Sequence, residues 1–471
     1  MHVLQTINDV KECFELQKCY FSSEPYRSYD DRVKDLKKLK RLLLDNQDDF
    51  VEALNKDFGS RSADDTKIGD IITTISGINY TIKNLKSWMK PKKRKVDLLF
   101  QPAKASILFQ PLGVVGVVVP WNYPVFLSLG PLATALAAGN CVMLKMSEFT
   151  PVTATLLAGL LHKVFKQKQV AIIGGEVEIA TAFTSLAFDH LFFTGSTNVG
   201  KIVMQAAAKN LVPVTLELGG KSPAIIDGII DIKLAVSRFI LGKVLNSGQT
   251  CVAPDYIFCP EDKVTVLVEE LQKIYSKMYP KITNNKDCTS IINDAQFERL
   301  NGLLDDARSH GANIIPLTAE PINKTERKMP LTVLTDVNDD MKVMQQEIFG
   351  PIIPIITYKN TAEAIHYINK NDRPLALYIY SFDKAFQQEI LLNTHAGGVC
   401  INEATFHVAN DDLPFGGIGA SGMGQYHGEE GFKTFSHGKS ILKKGRISFA
   451  HLLFPPFGGF MHKLVYKLFI R

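Results

Sequence analysis

Cys251 is the residue of this chain best suited to attack an electrophilic carbon. It follows Asn246-Ser247-Gly248-Gln249-Thr250, and such small residues let backbone and ligand come close. A thiolate is an intrinsically strong nucleophile, although a lone cysteine by itself fits a buried structural thiol, its usual fate. Its neighbours in the sequence alter that balance. Glu217 stands in Leu216-Glu217-Leu218-Gly219-Gly220-Lys221-Ser222-Pro223, after an apolar run and before a Gly-Gly turn. Burial there would raise its pKa and suit it to general-base work, while a helix cap or an ion-pair partner is the plainer alternative. Asn122, in Pro120-Trp121-Asn122-Tyr123-Pro124, directly follows an apolar run. A side-chain amide at a strand end can stabilise an oxyanion, and an Asn beside Pro can equally just form a turn.

Two further stretches suit a dinucleotide. Phe193-Thr194-Gly195-Ser196-Thr197-Asn198-Val199-Gly200 follows an apolar run and opens a helical one. Free amides at such a junction hold a pyrophosphate, although this is not the GxGxxG fingerprint and glycine turns are common. Lys145 and Glu148, in Lys145-Met146-Ser147-Glu148, follow another run. They could hold ribose hydroxyls, or form an exposed ion pair.

Positioning these residues needs a particular kind of scaffold. The first ninety or so residues read as helices, one of them opened by a capping box at Ser28-Tyr29-Asp30-Asp31 and continued by Val33, Leu36, Leu39, Leu43 and Leu44. From residue 106 short apolar runs alternate with helical stretches such as 150–166 and 198–209. Runs at 107–109, 114–119, 141–144, 170–173, 191–193 and 214–216 read as buried strands. A second alternation follows Glu217, with strands at 224–226, 352–356, 375–380 and 399–401. The pattern predicts an α/β protein with a doubly wound, mostly parallel sheet and a second α/β domain.

Composition excludes several classes. With 46% apolar and 21% charged residues over 471 positions, the chain is a globular protein of more than one domain. A net charge of +5 does not call for nucleic acid. Seven cysteines without CxxC or Cys/His ligand spacing argue against disulfides and against a metal site, and point to a reducing, cytoplasmic compartment. The N-terminal residues have no apolar core of a signal peptide, and no apolar run reaches the ~18 residues that a bilayer requires. Pro91-Lys92-Lys93-Arg94-Lys95-Val96 reads as a solvated connector, a nuclear-localisation signal being the alternative. At the C-terminus Lys463, Lys467 and Arg471 recur every four residues, with Phe460, Leu464, Leu468 and Phe469 on other faces. That is a short amphipathic basic helix, expected to pack on the body of the protein, with a peripheral membrane contact as the alternative.

Taken together, PWNYP, KMSE, FTGSTNVG, LELGGKSP, GQTC, EIFGP and PFGG resemble, in content and order, the NAD(P)-dependent aldehyde dehydrogenase superfamily over nearly the whole chain. The short N-terminus and extended tail resemble its class 3 branch, and Val142 to Glu148, with Met146 where Pro is commoner, is most similar to the coniferyl aldehyde type. The resemblance implies a Rossmann-type cofactor domain at 1–95 and 109–215 and a catalytic domain at 216–410. It also implies an oligomerisation segment at 96–108 and 411–445, and a tail at 446–471. It implies that Cys251 is the nucleophile, that Glu217 activates the hydrolytic water (251 − 217 = 34 residues apart, the class 3 spacing), and that Asn122 shares the oxyanion hole with the Cys251 amide. Trp121, Lys145, Glu148, Thr194, Gly195, Ser196, Gly200, Leu218, Glu347 and Phe349 would contact NAD, with NADP also accepted, and Tyr123 would face the substrate. The expected activity is oxidation of an aldehyde, aromatic or medium- to long-chain, to the acid by a homodimer. A CoA-acylating enzyme of the same fold, which has no need of Glu217, and an inactive binding homologue are the rivals.

Overall fold

The computed structural model describes residues 3–470; Arg471 of the basic tail lies outside them. Helices fill the N-terminal region as the periodicity predicts. The helix Tyr29–Asp45 starts at Ser28, whose hydroxyl accepts a hydrogen bond from the Asp31 amide at 3.2 Å, and its Leu36, Leu39 and Leu43 are fully buried.

Three sheets follow from the apolar runs. A six-stranded sheet has the order Gly422–Met423, Val214–Glu217, His190–Thr194, Val114–Val118, Cys141–Lys145, Val170–Ile173. All its pairs are parallel except the first, in which Gly422 lies antiparallel to Glu217. The strands Cys141–Lys145, Val170–Ile173 and His190–Thr194 are buried at every position, as expected of a parallel sheet covered by helices on both faces. A seven-stranded sheet follows the order Asn313–Pro316, Thr332–Thr335, Ile352–Tyr358, Tyr256–Pro260, Pro223–Ile226, Ala376–Tyr380, Gly398–Ile401. The two sheets meet at the segment Glu217–Pro223, so the carboxyl ends of the first sheet's strands, where open α/β sheets bind ligands, and the amino ends of the second's face one cleft.

Some sequence expectations need correction. The run 107–109 is not a buried strand of the parallel sheet. It belongs to Lys104–Pro111, the middle strand of a separate antiparallel ribbon with Lys92–Arg94 and Ser436–Lys443. An isolated ribbon leaves one face half-exposed, so its apolar residues are only partly covered. The basic stretch 91–96 is therefore no loose connector: Lys92–Arg94 is an edge strand, and Lys92 is ion-paired with Glu429. Gly422–Met423, expected in the oligomerisation segment, completes the cofactor-side sheet instead. The tail does form a helix, Phe460–Phe469, but it packs chiefly against the short turn Ala450–Leu453 and leaves most of its residues exposed.

Candidate active site

The loop carrying Cys251 has a backbone that few sequences tolerate. Asn246, Ser247 and Gly248 all have positive φ, at 50°, 53° and 73°. Two consecutive non-glycine residues in the left-handed region cost free energy that the surroundings must offset. They do so densely. The Asn246 amide donates to Asp65 at 2.7 Å, and Ser247 Oγ donates to the Thr289 carbonyl. Gln249, with no exposed surface, donates to the Asn246 and Ser290 carbonyls at 3.0 and 3.1 Å and accepts from the Ile292 amide at 3.0 Å. A Cβ on Gly248 would come within 2.5 Å of the Gly350 carbonyl oxygen, so this position admits only glycine.

Cys251 emerges from this loop half-buried at the wall of a cavity of about 840 Å³. Burial pushes its thiol up to about 12, and the carboxylates of Glu347 and Glu217 add to the shift. The amides of Val252 and Cys251 act the other way.

Asn122 is buried across from the loop, and its Nδ2 donates to the Gln249 carbonyl at 3.1 Å. One of the two amide protons is thereby fixed and the other remains for a ligand. Arg61, fully buried, anchors the same segment. It donates to the Asn122 carbonyl at 2.8 Å, pairs with Asp70 at 2.9 Å and lies 4.7 Å from the ring centroids of both Phe58 and Tyr123. Asp70 accepts the Val125 and Phe126 amides and so caps the helix Phe126–Ala138 that follows Asn122.

Glu217 ends its strand on the same cavity, buried, with neither carboxylate oxygen bonded to any group among the described residues. Burial raises its pKa well above the usual carboxylate range. The opposite wall is the segment Val343–Phe349, held by Lys221, which donates to the Val343 and Gln346 carbonyls at 2.8 and 3.1 Å and is ion-paired with Asp255. Asp255 in turn accepts the Ile348 amide at 2.8 Å. Phe349 sits edge-on to Trp121 at 5.3 Å, and burial, with Asp255 beside it, raises Glu347 to about 7.

The cavity continues to the N-terminus of the helix Thr197–Ala208, where Ser196 caps the Val199 amide. A nicotinamide dinucleotide fits the residues present. Thr194 Oγ1 is buried without a partner among the described residues, Gly195 leaves the wall free of side chain, and the open helix end suits an anion. Gly200 serves packing: a Cβ there would lie 2.7 Å from the Leu218 side chain.

Of the site residues expected from the sequence, Trp121, Asn122, Thr194, Gly195, Ser196, Glu217, Leu218, Cys251, Glu347 and Phe349 line this one cavity. Lys145 and Glu148 lie beyond it. Lys145 is buried and donates to the Met146 carbonyl at 2.8 Å, whereas Glu148 is exposed. Tyr123 stands behind the wall rather than on it, its ring between Arg61 and Gly69 and its hydroxyl 3.4 Å from Asp65. Sequence reasoning missed Arg61, Asp70, Gln249, Lys221 and Asp255. It also missed Lys243, which is fully buried, and burial lowers it to about 8. No carboxylate lies within ion-pair distance of Lys243 among the described residues. Gln249 alone gave a local signal, as a large amide two residues before the thiol.

The sequence model of the Aldehyde dehydrogenase family matches residues 5–441. A probable coniferyl aldehyde dehydrogenase of Pseudomonas aeruginosa is 52% identical over 467 residues, 99% of this chain and 98% of the relative. The 4,4'-diaponeurosporen-aldehyde dehydrogenase of Staphylococcus aureus is 41% identical, over 96% and 98%. Among solved structures, the substrate-bound state of Staphylococcus aureus AldH superposes with a TM-score of 0.92 at 39% identity, covering 98% of this chain and 99% of that one. A Mycobacterium tuberculosis aldehyde dehydrogenase complexed with NAD+ gives 0.85 at 27% identity, over 94% and 92%.

Proposed function

The chain belongs to the aldehyde dehydrogenase family and oxidises aldehydes to acids with a nicotinamide cofactor, and from that premise we propose that the reaction runs through a thioester on Cys251. The observation that carries the proposal is the convergence of Cys251, Asn122 and Glu217 on one cavity. The Cys251 thiolate attacks the aldehyde carbon and forms a thiohemiacetal. Asn122 Nδ2 and the Cys251 amide hold the oxyanion, a contribution of about 3 kcal/mol per donor. The nicotinamide, when bound, supplies the hydride acceptor that turns this adduct into a thioester. Glu217 then takes a proton from water, whose oxygen attacks the acyl carbon and releases the acid and the Cys251 thiolate. Trp121, Glu347 and Phe349 would hold the nicotinamide end, and Ser196 with the helix after it the diphosphate.

Coniferyl aldehyde or a related aromatic aldehyde is the proposed substrate, on the strength of relatives of that name at 52%, 44% and 42% identity. NAD is the proposed preferred cofactor: the Glu148 carboxylate would repel a 2′-phosphate, with Lys145 nearby to soften the preference. Two free edges, the exposed strand Ser436–Lys443 and the half-buried strand Gly398–Ile401, support a homodimer built by strand pairing. The unbonded Glu217 carboxylate favours hydrolysis over transfer to CoA.

The test is the Glu217→Gln variant in rapid mixing. A burst of about one NADH per site should survive while later turnover falls by about 10²–10⁴. Unchanged steady-state turnover would assign the base elsewhere, and rescue of turnover by CoA would favour the acylating alternative.

A further inference from the structure

The charge excess of this protein resides in its last 36 residues. From Ser436 onward there are seven Lys and Arg and no Asp or Glu; the remainder holds 46 Lys and Arg against 48 Asp and Glu. A body of so small a net charge offers little to bind a tail of +7. The structure agrees, since the helix Phe460–Phe469 rests chiefly on the turn Ala450–Leu453. The tail is instead packed on itself: His462 is buried beside Phe457, with ring centroids 5.6 Å apart.

What the tail leaves in solvent is apolar. Phe457 is 72% exposed, Phe460 78% and Ile470 71%. Phe460, Leu464 and Leu468 form one stripe at four-residue spacing, and Lys463 and Lys467 form the stripe beside it. Monomeric proteins rarely leave such a continuous apolar surface uncovered. Phenylalanines project from the residues around the turn (Phe449, Phe454, Phe457) and from the helix alike, and lysines flank them with stems long enough to reach past the apolar stripe.

We propose that residues 443–470 dock on the surface of an anionic phospholipid bilayer, with the phenylalanines in the acyl boundary and Lys463 and Lys467 at the phosphates. Charge complementarity selects this occupant, because the segment has no acidic residue to recognise a basic partner and its apolar residues match no aqueous polyanion. Among the described residues no helix is long and apolar enough to cross a membrane, so the contact is peripheral. It would let an apolar aldehyde dissolved in lipid reach the enzyme, and it stands independently of the chemistry at Cys251.

Co-sedimentation of the full-length protein with phosphatidylcholine vesicles, with and without about 30% phosphatidylglycerol, tests this. At least about tenfold more protein should partition onto the anionic vesicles. Lys463→Glu/Lys467→Glu and Phe457→Ser/Phe460→Ser should each reduce that partition about tenfold or more, while kcat/KM for soluble benzaldehyde stays within about twofold of wild type. No partition by the wild type, or equal partition onto neutral and anionic vesicles, overturns the proposal. So does conversion of an oligomer to monomers by these variants in sedimentation velocity, which would assign the tail to a second copy of the chain.

Discussion

Gln249 and Glu217 are both large, polar and buried beside Cys251, and their surroundings treat them oppositely. Three groups bond the Gln249 side chain, and it has no exposed surface. Both Glu217 oxygens are unbonded. A satisfied buried polar group stabilises the fold and fixes geometry, while an unsatisfied one costs stability and is available to a reactant. The pocket thus separates the residue that aims the nucleophile from the residue held ready for water. Arg61 and Asp70 belong with Gln249 in this division.

Substitutions can break or sharpen this contrast. Cys251→Ala should lower kcat for aldehyde oxidation by about 10⁴ or more and leave NAD binding, read by fluorescence titration, unchanged. Activity within tenfold of wild type would dissolve the assignment. Asn122→Ala should reduce kcat by about 10²–10³ through loss of one oxyanion donor. A rise confined to KM would demote Asn122 to substrate binding. The thiol gives a pH test. Since burial raises the Cys251 pKa to about 12, the thiolate fraction in the cofactor-free protein grows with pH throughout the neutral range. Its alkylation by iodoacetamide should accelerate about tenfold per pH unit between about 7 and 10. A plateau starting below pH 8 would mean that the thiol is already ionised there. The smallest effects are on stability, and they bear most directly on the contrast. Gln249→Leu should lower the melting temperature by several degrees, because it strands two buried backbone groups, the Ser290 carbonyl and the Ile292 amide, at about 1–3 kcal/mol each. Glu217→Gln should leave the melting temperature unchanged or raise it slightly, since it removes an uncompensated acid. Equal losses in the two variants would erase the distinction.

Much of this was legible in the chain. Runs such as Val142-Met143-Leu144 and Leu191-Phe192-Phe193 can be buried on both faces only in a covered parallel sheet, so they announce the fold. Cys251, Glu217 and Asn122 lie in short contiguous motifs whose roles depend on local chemistry. The supporting residues are different. Arg61 reaches Asn122 across 61 positions and Gln249 reaches Ser290 across 41, and nothing local to either marks the partner. Tyr123 shows the same limit in reverse: its place beside Asn122 suggested the substrate side, yet Arg61 and Gly69 enclose its ring. The run 107–109 misled because an apolar run does not reveal whether a second sheet face will cover it. The strands Tyr256–Pro260 and Thr332–Thr335 went unmarked, although neither is shorter than the three-residue runs that read as strands.

The pairing of Gly422 with Glu217, reinforced by the Leu218 amide bonded to the Ser421 carbonyl at 3.0 Å, bears on how the protein is made. The strand that bears Glu217 is flanked on one side by a segment that leaves the ribosome some two hundred residues after it. A nascent chain can lay down the rest of that sheet early, but its outer edge stays open until translation is nearly finished. An exposed strand edge recruits other strands, so truncated or stalled products would be the species that aggregate or engage chaperones. Biosynthesis therefore completes the reactive cleft last, and a chain ending before Gly422 holds nearly every residue of the cleft without the pairing that closes it.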